Sequence, residues 1–260
     1  MSAIKNPTTD NVIQLRVVDG NIEKKPKVRY NKDGSIDKRH PNRVSGVSNE
    51  VYPLTKEEIK LMVNLFNKRI NEAPDENKRQ IACRNKMLFL IGINLGIRAS
   101  DLCKLRYSFF MNDKMEFFDK NKLQPKKTKT KTGKYVTLYF NPCVKKAIEN
   151  YIEEYPIQDL QDYLFKSRNG GNPISEHTIW DVVSKAAIEV GIEKNIGSHS
   201  LRKTFGYWAW HNAKDKNKEL ITLQNIFGHS SPAITSRYIG ITDNEMSDVF
   251  NNLDLGLDYL

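Results

Sequence analysis

The chain has 260 residues, 39% of them hydrophobic and 28% charged, enough for one large domain or one domain with a small appendage. Its 41 Lys and Arg against 31 Asp and Glu leave a net charge of +10, which points to a polyanionic partner, nucleic acid before an anionic membrane surface. No apolar run approaches the ~20 residues of a membrane span, no signal-peptide core opens the sequence, and three cysteines without paired spacing exclude a disulfide framework, so a soluble protein of the reducing cytoplasm is expected.

Residues 1–50 are polar and carry ten Lys or Arg against six Asp or Glu. They read as a basic arm or leader, with one hairpin expected over Val28–Arg39 around Asp33-Gly34. Helical order is expected to begin in "YPLTKEEIKLMVNLFNKRI". There Thr55 and Glu58 have capping-box spacing, and Ile59, Met62, Val63 and Phe66 mark one face. A second helix in "KRQIACRNKMLFLIGINLG" ends at Gly96, a residue suited to the left-handed position past a helix C-terminus. "IRASDLCKL" comes next, with Ser100 as the expected cap of a short helix. Cys83 and Cys103 fall in apolar-periodic stretches and read as small core residues.

From Arg106 to Phe140 the sequence is strand-like and turn-rich, and it includes "QPKKTKTKTGKYVTLYF". Five lysines (Lys126, Lys127, Lys129, Lys131 and Lys134) crowd this segment, and on an extended strand Lys127, Lys129 and Lys131 project to one side. Helical patterns return in "NPCVKKAIENYIEEY", "ISEHTIWDVVSKAAIEVGI", "SLRKTFGYWAWHNA" and "KELITLQNIFG". The expected fold is mainly α with a small antiparallel β-sheet, in the α+β class. The last segment, 243–260, is an acidic tail whose Met246, Val249, Phe250 and Leu253 form one helical stripe.

Read one by one, the chemistry-bearing residues have ordinary explanations. Arg98 follows a helix end, His199 and Arg202 share a helix face at a spacing of three, His229 sits after a glycine, and Tyr238 has the look of an interface aromatic. Together they form boxes in a fixed order. "LGIRASDLCKL" (Leu95–Leu105) resembles the first arginine box of the tyrosine recombinase, or phage-type integrase, family. "HSLRKTF" (His199–Phe205) resembles its His-x-x-Arg box, and "FGHSSPAITSRYIG" (Phe227–Gly240) its Gly-His and tyrosine box. "KTGKYVTL" (Lys131–Leu138) is similar to its β-hairpin lysine segment. The resemblance spans residues 52–245.

It implies a catalytic domain over 51–242 that breaks and rejoins DNA without metal, cofactor or ATP. Tyr238 is the implied nucleophile, forming a 3′-phosphotyrosine and releasing a 5′-hydroxyl. Arg98 and Arg202 are permanently charged planar donors for the phosphate oxygens. His199 and His229 add donors, His199 also serving in proton transfer from the tyrosine. Lys131 is the implied general acid for the leaving oxygen, with Lys129 two residues away as the alternative. Asp101 is the implied acceptor that orients the cluster, beside its plain reading as an acid near a helix N-terminus. Lys127, Lys129, Lys134 and Lys203 are the expected DNA contacts, with Lys126 on a phosphate or in solvent.

His199, His211 and His229 lack metal-ligand spacing, so activity in EDTA is expected. The implied partners are double-stranded DNA at a specific site, three further copies of the chain in a tetramer on that DNA, and a DNA-bending accessory protein. No membrane is involved. The implied location is cytoplasmic, on the nucleoid. The acidic tail is expected to dock on a neighbouring subunit, the alternative being a helix packed on its own domain.

One departure from the family stands out. Only about fifty residues precede the boxes, where members carry a helical core-binding domain, so the chain is similar to the minimal class that includes the fimbrial phase-variation invertases. Among smaller departures, Phe227 stands where leucine is common and "VTLYF" lacks the proline often found after the hairpin lysine. A type IB topoisomerase shares this chemistry without exchanging partners, and a DNA-binding protein with a degenerate site is the reading from another class. Compact size and the spelling of the boxes favour recombination over the first, and an intact set of six catalytic residues speaks against the second.

Overall fold

The computed structural model describes residues 15–18, 21–24, 50–126, 133, 135–167 and 171–240. The chain divides into two units, Met1–Asn49 and Glu50–Leu260. In the first, strands β1 (Leu15–Val18) and β2 (Asn21–Lys24) pair antiparallel, with Leu15 opposite Lys24 and Val18 opposite Asn21. Periodicity and turn signals did not single out this strand pair. Its sequence signal is Asp19-Gly20, a two-residue hairpin pair of the same kind as Asp33-Gly34. The expected hairpin over Val28–Arg39 lies outside the described residues.

The second unit is helical. Helix α1 (Lys56–Asn71) starts in the expected capping box: the Thr55 hydroxyl accepts from the Glu58 N–H, and the Glu58 carboxylate accepts from the Thr55 N–H. Met62 and Phe66 are fully buried, with Ile59 and Val63 half-buried beside them. Helix α2 (Glu76–Leu95) turns apolar from Met87 onward, where Met87, Leu88, Phe89, Ile91 and Leu95 are buried. It packs against α1, against α4 (Pro142–Glu154) and against α6 (Ser198–Asn212). Cys83 and Cys103 are buried as expected.

The short helix α3 (Ala99–Leu102) corrects the expected cap. Arg98 occupies the N-cap position with an extended backbone, while Ser100 lies inside the helix and is buried. Strands β3 (Lys120–Leu123) and β4 (Val136–Tyr139) form the small antiparallel sheet, Lys120 opposite Tyr139 and Leu123 opposite Val136. Helix α5 (Glu176–Glu189) packs on α6. After α6 come α7 (Lys216–Phe227) and α8 (Pro232–Ile239), which pack on each other and on α6. Among the described residues no helix is long and apolar enough to cross a membrane.

Two apolar clusters hold these helices in place. The larger gathers α1 through α6 around Phe66, Phe89, Ile91, Phe110, Phe165 and Leu201. The smaller holds Leu223, Phe227 and Ile239, with Phe205, Ala209 and Tyr238 against them. Helix α6 serves both, placing Leu201 in one and Phe205 and Ala209 against the other. It therefore ties the end of α2 to the α7–α8 pair.

Candidate active site

At the end of α2, Gly96 turns the chain in the left-handed region, with φ of 60°. A Cβ there would stand 2.3 Å from Phe205 Cδ1, so glycine answers both the backbone angle and the approach of α6. The turn leaves the Gly96 carbonyl facing α6, where it accepts from Arg202 Nη1 at 2.7 Å. Arg202 Nη2 donates to the Phe227 carbonyl at 2.9 Å, and Arg98 Nη2 donates to that same oxygen at 3.2 Å. One carbonyl at the C-terminus of α7 thus gathers two guanidiniums that are 104 residues apart in sequence. The negative end of the helix dipole adds to that attraction.

Arg202 is 4% exposed and lies over the Phe227 ring at 4.1 Å. Burial pulls its pKa down to about 10; the Tyr238 phenol opposes this and the Arg98 charge adds to it. The guanidinium stays charged at neutral pH.

Helix α8 presents Tyr238. The Tyr238 ring meets His229 edge-on at 5.2 Å and Phe227 at 5.6 Å. Gly206 makes this possible, because a Cβ on it would come within 2.6 Å of Ile239 Cγ2 and 2.9 Å of the Phe227 ring. The Tyr238 hydroxyl is buried and has no aligned hydrogen bond among the described residues. Burial raises the phenol's pKa, while the charges of Arg202 and Arg98 and the approach of the Arg202 side chain pull it back.

His229 Nδ1 lies 3.0 Å from Thr235 Oγ1, a shorter contact than the 3.4 Å from that hydroxyl to the Ser231 carbonyl. Burial, with the Arg202 and Arg98 charges behind it, lowers the His229 pKa to about 4, so this imidazole is neutral at physiological pH.

His199 sits in the first turn of α6, exposed, one helical turn before Arg202. Asp101 is 6% exposed, and its Oδ1 accepts the backbone N–H of Lys126 at 2.9 Å. Gln124 Nε2 donates to the Gly133 carbonyl at 3.3 Å, joining the two ends of the lysine segment. Lys127, Lys129, Lys131 and Lys134 lie in that segment, outside the described residues, as does the acidic tail.

Lys203, expected on DNA, is buried: its ammonium donates to Glu50 Oε1 at 2.9 Å and stands 5.5 Å from the Tyr238 ring centre. A groove of about 490 Å³ beside Asp101 is lined by Lys104, Arg106, Lys122 and Lys126 among others. A larger cavity of about 700 Å³, lined by Arg84, Tyr107, Tyr151 and Tyr155, contains none of the six catalytic candidates.

Arg98, Arg202, His229 and Tyr238 are therefore brought into one cluster. Phe227 and Thr235 join them, and neither stood out in the sequence as a site residue. Phe227 contributes a main-chain carbonyl and a ring face, which no residue-type signal announces. Helix α8 was also missed, although Ser231 before Pro232 is a readable start: Ser231 caps the helix by accepting the Ile234 N–H, and proline takes its first position.

Residues 52–245 match the family model described as the phage integrase family. The probable integrase/recombinase YoeC of Bacillus subtilis (strain 168) is 35% identical over 178 residues, covering 66% of this chain and 88% of YoeC. The chain spans about half the length of the matching tyrosine recombinases of Pseudothermotoga lettingae and Staphylococcus epidermidis. In fold it is similar to the crystal structure of XerA recombinase, with a TM-score of 0.56 at 21% identity over 82% of this chain and 65% of that one. The XerH site-specific recombinase bound to a palindromic difH substrate gives a TM-score of 0.55 at 18% identity, over 80% of this chain and 56% of that one.

Proposed function

The chain belongs to the phage integrase family of tyrosine recombinases, and we propose that it cuts and rejoins double-stranded DNA at a specific site, with Tyr238 as nucleophile. The observation that carries this reading is the cluster itself, in which two arginines from distant boxes share the Phe227 carbonyl and act electrostatically on a buried tyrosine hydroxyl.

In the proposed reaction the Tyr238 oxygen attacks phosphorus, forming a Tyr–O–P bond as the P–O5′ bond breaks. His199, on the exposed first turn of α6, takes the phenolic proton, and a lysine of the segment between β3 and β4, Lys131 or Lys129, protonates the departing 5′-oxygen. Arg98, Arg202 and His229 stabilise the charge that builds on the non-bridging oxygens. In the structure the arginines donate to the carbonyls of Gly96 and Phe227. The phosphate would take up the remaining donors of a fork already held in place, so little reorganisation is needed at the moment of reaction.

A 5′-hydroxyl from another strand then attacks the phosphotyrosine, restoring a phosphodiester and the free tyrosine. The bond energy is conserved in the ester, so neither ATP nor water takes part. One tyrosine per chain cuts one strand, and exchange between two duplexes breaks four strands, which calls for four copies on DNA. Such an enzyme works on the nucleoid, in the cytoplasm.

The test uses nicked duplexes from the DNA flanking the gene, incubated in EDTA with wild type and with Tyr238→Phe. The nick lets the cut fragment diffuse away and traps the covalent product. Wild type is expected to give an SDS-resistant DNA adduct and the variant none, while both bind DNA. An adduct formed equally by the variant would overturn the assignment.

A further inference from the structure

A strap from Glu50 to Leu54 is fastened along α6. The Tyr52 N–H donates to the Asn195 carbonyl and Asn195 Nδ2 to the Glu50 carbonyl, both at 3.1 Å. The Leu54 N–H donates to Thr204 Oγ1, and Trp208 Nε1 to the Leu54 carbonyl, both at 2.9 Å. These bonds fix the strap's backbone where the Glu50 carboxylate reaches the Lys203 ammonium at 2.9 Å.

Lys203 follows Arg202 directly, is 6% exposed, and holds its ammonium 5.5 Å from the centre of the Tyr238 ring. A buried ammonium is costly unless compensated. Here a carboxylate and the electron-rich face of a tyrosine both compensate it.

We propose that Lys203 is a positioning residue for Tyr238, holding the nucleophile's ring against the arginine cluster, and that Glu50 holds Lys203 in place. The proposal rests on Tyr238 being the nucleophile. Its physical basis is differential. A cation over a phenol ring is attracted more strongly as the ring gains negative charge, and the ring gains it as the hydroxyl proton leaves. The contact therefore strengthens toward the transition state. A direct DNA contact, the role expected from sequence, needs an ammonium that reaches outward, whereas this one is turned inward between Glu50 and Tyr238. The inference also links the nucleophile to the point where the N-terminal segment joins the catalytic unit.

The experiment measures single-turnover cleavage of the nicked duplex at saturating protein, across a range of pH. Wild type is compared with Lys203→Met, Lys203→Arg, Glu50→Gln and the Lys203→Met/Glu50→Gln double variant, with DNA affinity and its salt dependence measured alongside. Lys203→Met is expected to slow cleavage about tenfold, with affinity and salt slope unchanged and with the rise in rate moved to higher pH. Lys203→Arg is expected to restore most of the rate. Glu50→Gln is expected to be slower than wild type, and the double variant no slower than Lys203→Met alone.

A weaker, less salt-dependent affinity at unchanged cleavage rate would make Lys203 a phosphate contact and overturn the proposal. Faster cleavage by Glu50→Gln would do the same, making Glu50 a sequestering group. Absence of an adduct with wild type would instead remove the nucleophile assignment on which the proposal stands.

Discussion

Arg202 combines roles that only its side chain can fill: it bonds two carbonyls, lies over the Phe227 ring, and still directs charge at Tyr238. Its neighbour His229 is set the opposite way, kept neutral by burial and by the two guanidiniums. That difference has a consequence for stability. The folded His229 pKa of about 4 lies below its ordinary 6.5, so as pH falls through 6.5 the unfolded chain takes up a proton that the folded one refuses. The His229 contribution is constant above that range, is lost progressively as pH falls from 6.5 toward 4, and changes no further below. Melting curves across this window are expected to fall more steeply for wild type than for His229→Gln; parallel curves would show that the imidazole does not resist protonation. The residue types of this cluster are legible in sequence because each announces its chemistry by its side chain. Phe227 and Thr235 are not, since one acts through a main-chain oxygen and the other through a hydroxyl shared with its own helix.

At the scale of elements, the site is assembled by five segments: the C-terminus of α2, the start of α3, the first turns of α6, the C-terminus of α7, and helix α8. Long amphipathic helices and their caps can be read directly, as in the Thr55 box and the Gly96 turn. The short ones cannot, because α3 and α8 are too brief to show a hydrophobic period, and tertiary contacts decide where they begin. That is why Arg98, and not Ser100, heads α3. The placement of α3 gives Asp101 a definite task, since its Oδ1 anchors the backbone of Lys126 at the entry to the lysine segment. The proposed reaction takes its acid from that segment, so Asp101→Ala is expected to slow cleavage, and Asp101→Asn, which keeps the acceptor oxygen, to slow it less. On a duplex whose bridging 5′-oxygen is replaced by sulfur, a leaving group that needs no proton, the Asp101→Ala defect is expected to shrink toward wild type. A defect of equal size on both substrates would place Asp101 with the arginines and not with the acid.

For the whole molecule, the net charge of +10 and the order of the boxes point to a DNA-acting enzyme on sequence alone. The helical catalytic unit with its two-stranded sheet is likewise legible from periodicity and turn signals. The part that sequence does not reveal is how α6 joins two apolar clusters, so that residues from both ends of the unit converge on one tyrosine. The chain contains eleven tyrosines, and this convergence sets Arg202, Arg98 and His229 around Tyr238, the one that the proposed reaction makes the nucleophile. The most direct measurement is to isolate the covalent protein–DNA adduct, digest it with protease and nuclease, and locate the nucleotide by mass spectrometry. A nucleotide mass is expected on the peptide containing Tyr238 and on no other. A nucleotide on a different residue, or an adduct whose Tyr238 peptide is unmodified, would contradict the assignment.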